Sequence, residues 1–234
     1  MPDADNTAVW VAFLLQASDS LYPTGAYAHS FGLEGLVQAG SVRDRATLRS
    51  FFLEQALPAL ARTDLPIAAQ VWDASGEPRD WPRLRELCHL GSAIRGASEP
   101  REASEAIGRQ RIDLAARLHG GFAAEFAGRA SAGQWPVSAA VAAAVEGRAH
   151  GAPREAVLAA TVYSAAAGMT AAAIKLLRLG QNASQTLLRE LLGRTPALIA
   201  DALALGPGEI GTFNPWWDIA ASRHESADGR LFIS

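Results

Sequence analysis

Cysteine is nearly missing from this sequence: Cys88 is the only one in 234 residues. One thiol excludes an intrachain disulfide and any all-cysteine metal site, and it makes a reducing, cytoplasmic setting the default. Aromatic residues are also scarce, at 7%, so the 49% hydrophobic content is carried mainly by Ala, Leu and Val. Such a composition suits closely packed helices. A net charge of only −3 offers no basic surface for nucleic acid or for an anionic membrane. The N-terminal MPDADNTAVW has no basic region before its first apolar residues, so it does not resemble a secretory signal.

The common catalytic signatures are absent too. No G-x-x-x-x-G-K-[ST] occurs, and GPGEIGTF lacks both the lysine and a following helix, which excludes a P-loop. There is no G-x-S-x-G, H-E-x-x-H or G-x-G-x-x-G. The five histidines show no metal-ligand spacing. Cys88 and His89, as helix neighbours, point about 100° apart and are awkward joint ligands. No cofactor and no metal site are expected on these grounds.

What the chain does contain is helix punctuation. Trp10, Phe13, Leu14 and Ala17 share one face of a 3.6-residue period after a cap at Asn6 or Thr7. Asp44 and Asp80 are further N-caps, Pro58 should kink or split its helix, and Gly120-Gly121 marks a bend. Ala156–Ile174 carries no charged side chain and is long enough to cross a bilayer. Its Ala, Gly, Ser and Thr content makes a buried central helix the better reading, with a smooth face at Ala160, Ser164, Gly168 and Ala172. With no strand alternation and no repeat, the expected fold is all-α: a single-domain bundle of about ten helices around a central Ala/Gly-rich helix.

Polar chemistry gathers in LYPTGAYAHSFGLEGLV, residues 21–37. After the turn at Pro23-Thr24-Gly25, a short helix would place Tyr27, Ser30, Phe31 and Glu34 on one face, with His29 nearby. Trp216-Trp217 reads either as cover for the core edge or as anchors for a partner. Lys175 ends the uncharged run, as a partner of the helix dipole or as a charge shown to another protein. The apolar Leu231-Phe232-Ile233 after a polar stretch implies that something holds the chain end.

Four blocks in order carry a resemblance. LLQASDSLYPTGAYAHSFGLEGLV is similar to a turn followed by G-A-[FY]-x-x-S-x-G-L-E. SEPREASEAIGRQ is similar to R-E-A-S-x-x-x-G, and AAAIKLLRLGQNASQTLL to a lysine-bearing helix followed by L-G-Q-x-x-x-Q. DIAASRHESADGRLFIS is similar to D-I-A-x-x-x-H-E…R-L-F-x-S. Together they resemble the UreF-type urease accessory proteins, with departures at Arg178, Asp228-Gly229 and Ile233.

The resemblance implies an all-α homodimer without enzymatic activity of its own. It would bridge a UreD/UreH-type scaffold and a UreG-type GTPase to deliver nickel to apo-urease, without nucleic acid or membrane as a partner. Residues 1–217 would form the bundle and 218–234 a tail ordered by a partner. On matching positions, Asp218, His224, Glu225, Arg230, Leu231, Phe232 and Ser234 would meet the scaffold. Tyr27, Ser30, Glu34 and Lys175 would serve the same surface or GTPase regulation. Two other classes stand beside it: a helical adaptor unrelated to urease, and a small helical enzyme using Tyr27, His29 and Glu34.

Overall fold

The computed structural model describes residues 4–206, 208–224 and 229–233, with side chains from Thr7 onward. Every regular element among these residues is helical. The chain opens with α1 (Ala4–Ser18), a 3-10 turn at Ala26–Ala28 and α2 (Leu33–Gln38). It continues through α3 (Arg45–Phe51), α4 (Leu57–Arg62), α5 (Asp64–Ala74) and α6 (Trp81–Ala93). The long α7 (Ser98–His119) is followed by α8 (Gly121–Gly133), α9 (Ala139–Ala149) and α10 (Arg154–Leu176). Finally come α11 (Gln181–Leu192), α12 (Thr195–Ala204) and α13 (Pro215–His224).

The Asp44 and Asp80 caps act as the sequence suggests, whereas Asn6 and Thr7, expected to cap the first helix, lie inside α1, which begins at Ala4. Asp44 Oδ1 accepts the Thr47 N–H at 2.8 Å while Thr47 Oγ1 accepts the Asp44 N–H at 3.1 Å, a reciprocal capping box. Asp80 Oδ1 likewise accepts the Arg83 N–H at 2.9 Å. As expected at Pro58, the helical span is split, into α3 and α4 with residues 52–56 between them. Pro58 has no N–H for the carbonyl four residues back, and its ring would press on that carbonyl. The backbone answers with a π-helical turn over Phe52–Ala56, in which the Leu57 N–H reaches the Phe52 carbonyl.

The core centres on α5, α9 and α10, which contact one another. Ala140–Gly147 of α9 is buried on every side, which small side chains permit because helix backbones can approach closely. Around it pack Leu65, Ile67 and Val71 of α5 and Leu158, Val162 and Ala166 of α10, all at most 1% exposed. Among the described residues α10 is the one helix long and apolar enough to cross a membrane. It is instead the hub of the bundle, contacting α1, α2, α5, α9, α11 and α12. Its expected smooth face is used within the chain: the Phe31 ring lies where a Cβ on Gly168 would come within 3.1 Å.

The stretch after Pro23 departs from the single short helix expected there. Phe31 and Gly32 both take positive φ, 55° and 80°, and this left-handed step separates the 3-10 turn from α2. Tyr27 and Glu34 therefore do not share a face: Tyr27 is 73% exposed and Glu34 2%.

Candidate functional site

The left-handed step turns α2 so that its first turn points Glu34 into the protein. Ser30, fully buried, anchors the turn by accepting the Glu34 N–H on its Oγ at 3.2 Å. Against α2 lies α13, at a distance set by Gly35: a Cβ there would sit 2.4 Å from the Ala220 carbonyl oxygen. The two tryptophans at the start of α13 differ in burial. Trp217 covers the core edge, donating from Nε1 to the Phe31 carbonyl at 3.1 Å and meeting the Phe51 ring edge-on at 5.1 Å. Trp216 stays in solvent.

At the C-terminal end of α13, His224 is buried between two carboxylates. Its Nε2 lies 2.9 Å from Glu34 Oε2, and its Nδ1 lies 3.0 Å from Glu99 Oε2. Both ring nitrogens of His224 thus face carboxylate oxygens. Glu99 also meets Arg230 Nη1 at 3.3 Å. The chain end closes over Glu34: the Leu231 N–H donates to Oε1 at 2.9 Å and the Phe232 N–H to Oε2 at 3.0 Å. One residue on, the Ile233 N–H donates to the Ala28 carbonyl at 2.9 Å.

Glu34 and Glu99 stand in first helical turns and His224 in a last turn, where helix dipoles favour acids and cations respectively. Two carboxylates face the His224 ring and the Arg230 guanidinium, and each oxygen of Glu34 has a donor from the chain end. A buried carboxylate left without such donors would be costly. Phe232 is buried beneath the clasp, and Lys175 Nζ lies 5.2 Å from its ring centroid. Lys175 thus ends α10 as a dipole partner and also covers the tail.

Glu34, His224, Arg230, Leu231, Phe232 and Lys175, singled out separately from the sequence, come together here, with Ser30 in support. Tyr27 points to solvent on the nearby turn. His29 is buried, and burial lowers its pKa against the opposing pull of Glu99. Because Tyr27 is in solvent and the oxygens of Glu34 are taken up by the chain's own donors, no Tyr27/His29/Glu34 catalytic cluster is assembled. Asp218 lies apart, lining a shallow groove with Gly96, Ala97 and Ile219, and burial raises its carboxyl pKa. Glu225 and Ser234 lie outside the described residues. The division expected between residues 217 and 218 falls inside α13. Sequence reasoning missed Glu99; its available signal was an acid directly before Pro100 in a helix's first turn.

Comparison with known proteins agrees with these blocks. A profile of the UreF family matches residues 42–192. The chain belongs to the UreF family. It is 35% identical to the urease accessory protein UreF of Methylibium petroleiphilum, with 100% of this chain and 98% of that protein aligned. The UreF protein of Paracidovorax citrulli is 32% identical over 94% of this chain and 88% of its own length. A bifunctional urease accessory protein UreEF of Bordetella bronchiseptica is 33% identical, covering 96% of this chain and 52% of that longer protein. The matched family region begins after α2 and ends with α11, whereas the full-length relatives extend across the clasp as well.

Proposed function

We propose that this UreF-family chain serves urease maturation in the cytoplasm as a non-enzymatic adaptor. It joins a UreD/UreH-type scaffold to a UreG-type GTPase so that nickel reaches apo-urease, and it tunes GTP hydrolysis in that partner. The observation that carries this reading is the way the clasp displays the chain end. Glu34 holds the backbone down while Leu231 and Ile233 project outward, 70% and 65% exposed, beside Arg230. Exposed apolar side chains on a rigid, charge-flanked segment are suited to bind a protein. The relative that fuses UreE and UreF in one chain supports an accessory assembly as the setting. A second copy of the chain would pair through the outward side of α10, around Tyr163 and Ala171.

Co-purification with the scaffold and GTPase tests the proposal. Because α13 is packed into the bundle, truncation after Trp217 would damage the fold, and surface substitutions are the cleaner probe. Leu231→Asp combined with Ile233→Asp should keep the helical content and stability to within about 1 kcal/mol yet lose scaffold capture. Lys175→Ala should remain folded and lower urease activation. Unchanged capture by the double variant would rule out the chain end as the docking element, and failure of the unaltered chain to capture either partner would defeat the adaptor reading.

A further inference from the structure

Away from the clasp, α7 and α9 end side by side beneath α1. His119 is the last residue of α7 and His150 follows the last turn of α9, with their ring centroids 4.0 Å apart. Glu146, 1% exposed, sits one turn before His150. One ligand atom from each of the three residues lies within 4.8 Å of the others. Ligands about 2.0–2.1 Å from a common ion are separated by about 3.3–4.2 Å, so a small side-chain rotation closes the set.

Two further features suit a cation. Two helix C-termini converge here, and their carbonyl ends favour positive charge. Neither imidazole makes a hydrogen bond to a described residue, so each has a nitrogen to offer.

Glu146 is already oriented. Arg111 Nε donates to its Oε2 at 2.6 Å, and the Tyr22 hydroxyl donates to Oε1. Each carboxylate oxygen has two lone pairs, so Oε1 can keep Tyr22 and still accept an ion, and Arg111 fixes the carboxylate from behind. The Phe13 ring of α1 stacks on His150 at 4.2 Å and shields the cluster.

We propose that His119, Glu146 and His150 form a binding site for one divalent transition-metal ion. Two imidazoles and one carboxylate select zinc, cobalt or nickel over calcium or magnesium, which prefer all-oxygen shells. The site is separate from the clasp and independent of the urease reading.

The test is equilibrium binding of zinc or cobalt(II) to the full chain. The unaltered protein should bind one equivalent, with a visible cobalt spectrum of low coordination number. His119→Ala combined with His150→Ala should weaken binding at least tenfold, whereas His89→Ala, at an exposed histidine elsewhere, should leave it unchanged. Should the double variant fail to fold, histidine-ring NMR of the unaltered chain decides: zinc must shift His119 and His150 and leave His89 in place. No stoichiometric binding, binding retained by the folded double variant, or shifts confined to other histidines would overturn the site.

Discussion

Glu34 and Glu146 are buried to the same degree, 2% and 1% exposed, yet their surroundings differ in kind. Glu34 takes donors from His224, Leu231 and Phe232, and the second nitrogen of His224 is engaged by Glu99. Glu146 receives one donor on each oxygen, from Arg111 and Tyr22, and stands beside two imidazoles that bond to no described residue. A carboxylate with three of its four lone pairs taken by its own chain is a latch: it holds a distant segment and has little left to give a ligand. One with spare acceptor capacity and two imidazoles nearby is equipped to hold a guest. Burial alone does not separate structural from ligand-binding acids; the count of remaining lone pairs does.

The largest test of this contrast is Glu34→Ala. Removing the acceptor leaves the buried His224 ring and two backbone N–H groups without their partner, so stability should fall by about 3–5 kcal/mol in urea denaturation, with helical content retained under native conditions. The Leu231 and Phe232 amides should exchange far faster with solvent. A loss below about 1 kcal/mol with unchanged exchange would show that the latch does not hold the tail.

Glu146→Ala should cost less, about 2–3 kcal/mol, because its main cation, Arg111, keeps 13% of its side chain exposed and can turn to water. Exchange at the tail amides should not move. If it does, the two sites are coupled and the comparison fails. Lys175→Ala removes a cation from over the Phe232 ring and should cost about 0.5–1 kcal/mol in the same denaturation experiment.

The smallest expected effect is at Cys88. This thiol is fully buried, and burial pushes its pKa up to about 12, so at pH 8 it stays protonated and unreactive. Native protein should resist alkylation at pH 8 and take up one equivalent after denaturation. Rapid native labelling would mean that α6 opens readily.

Much of the fold was legible because its signals are local. Asp44 and Asp80 cap their helices through side chains within three residues of the bonds they make, and Gly120-Gly121 divides α7 from α8 as a bend should. The error after Pro23 arose because helical spacing says nothing of φ at Phe31. Only packing against Trp217 and Gly168 selects the left-handed step there. Pro58 was read correctly as a disturbance, but its remedy, a π-helical turn, depends on the helix being held in place at both ends by the core.

By itself the sequence determined the all-helical class, most helix boundaries and the family, since periodicity, capping chemistry and ordered motif blocks are all written along the chain. Tertiary structure alone decided which polar residues meet. His224 finds Glu34 across 190 residues, Glu99 completes the clasp from a third helix, and His119 joins His150 only because α7 and α9 end side by side. The physical reason is that buried charges are tolerated only where donors and acceptors from separate elements converge, and that convergence is a property of packing that no local spacing records.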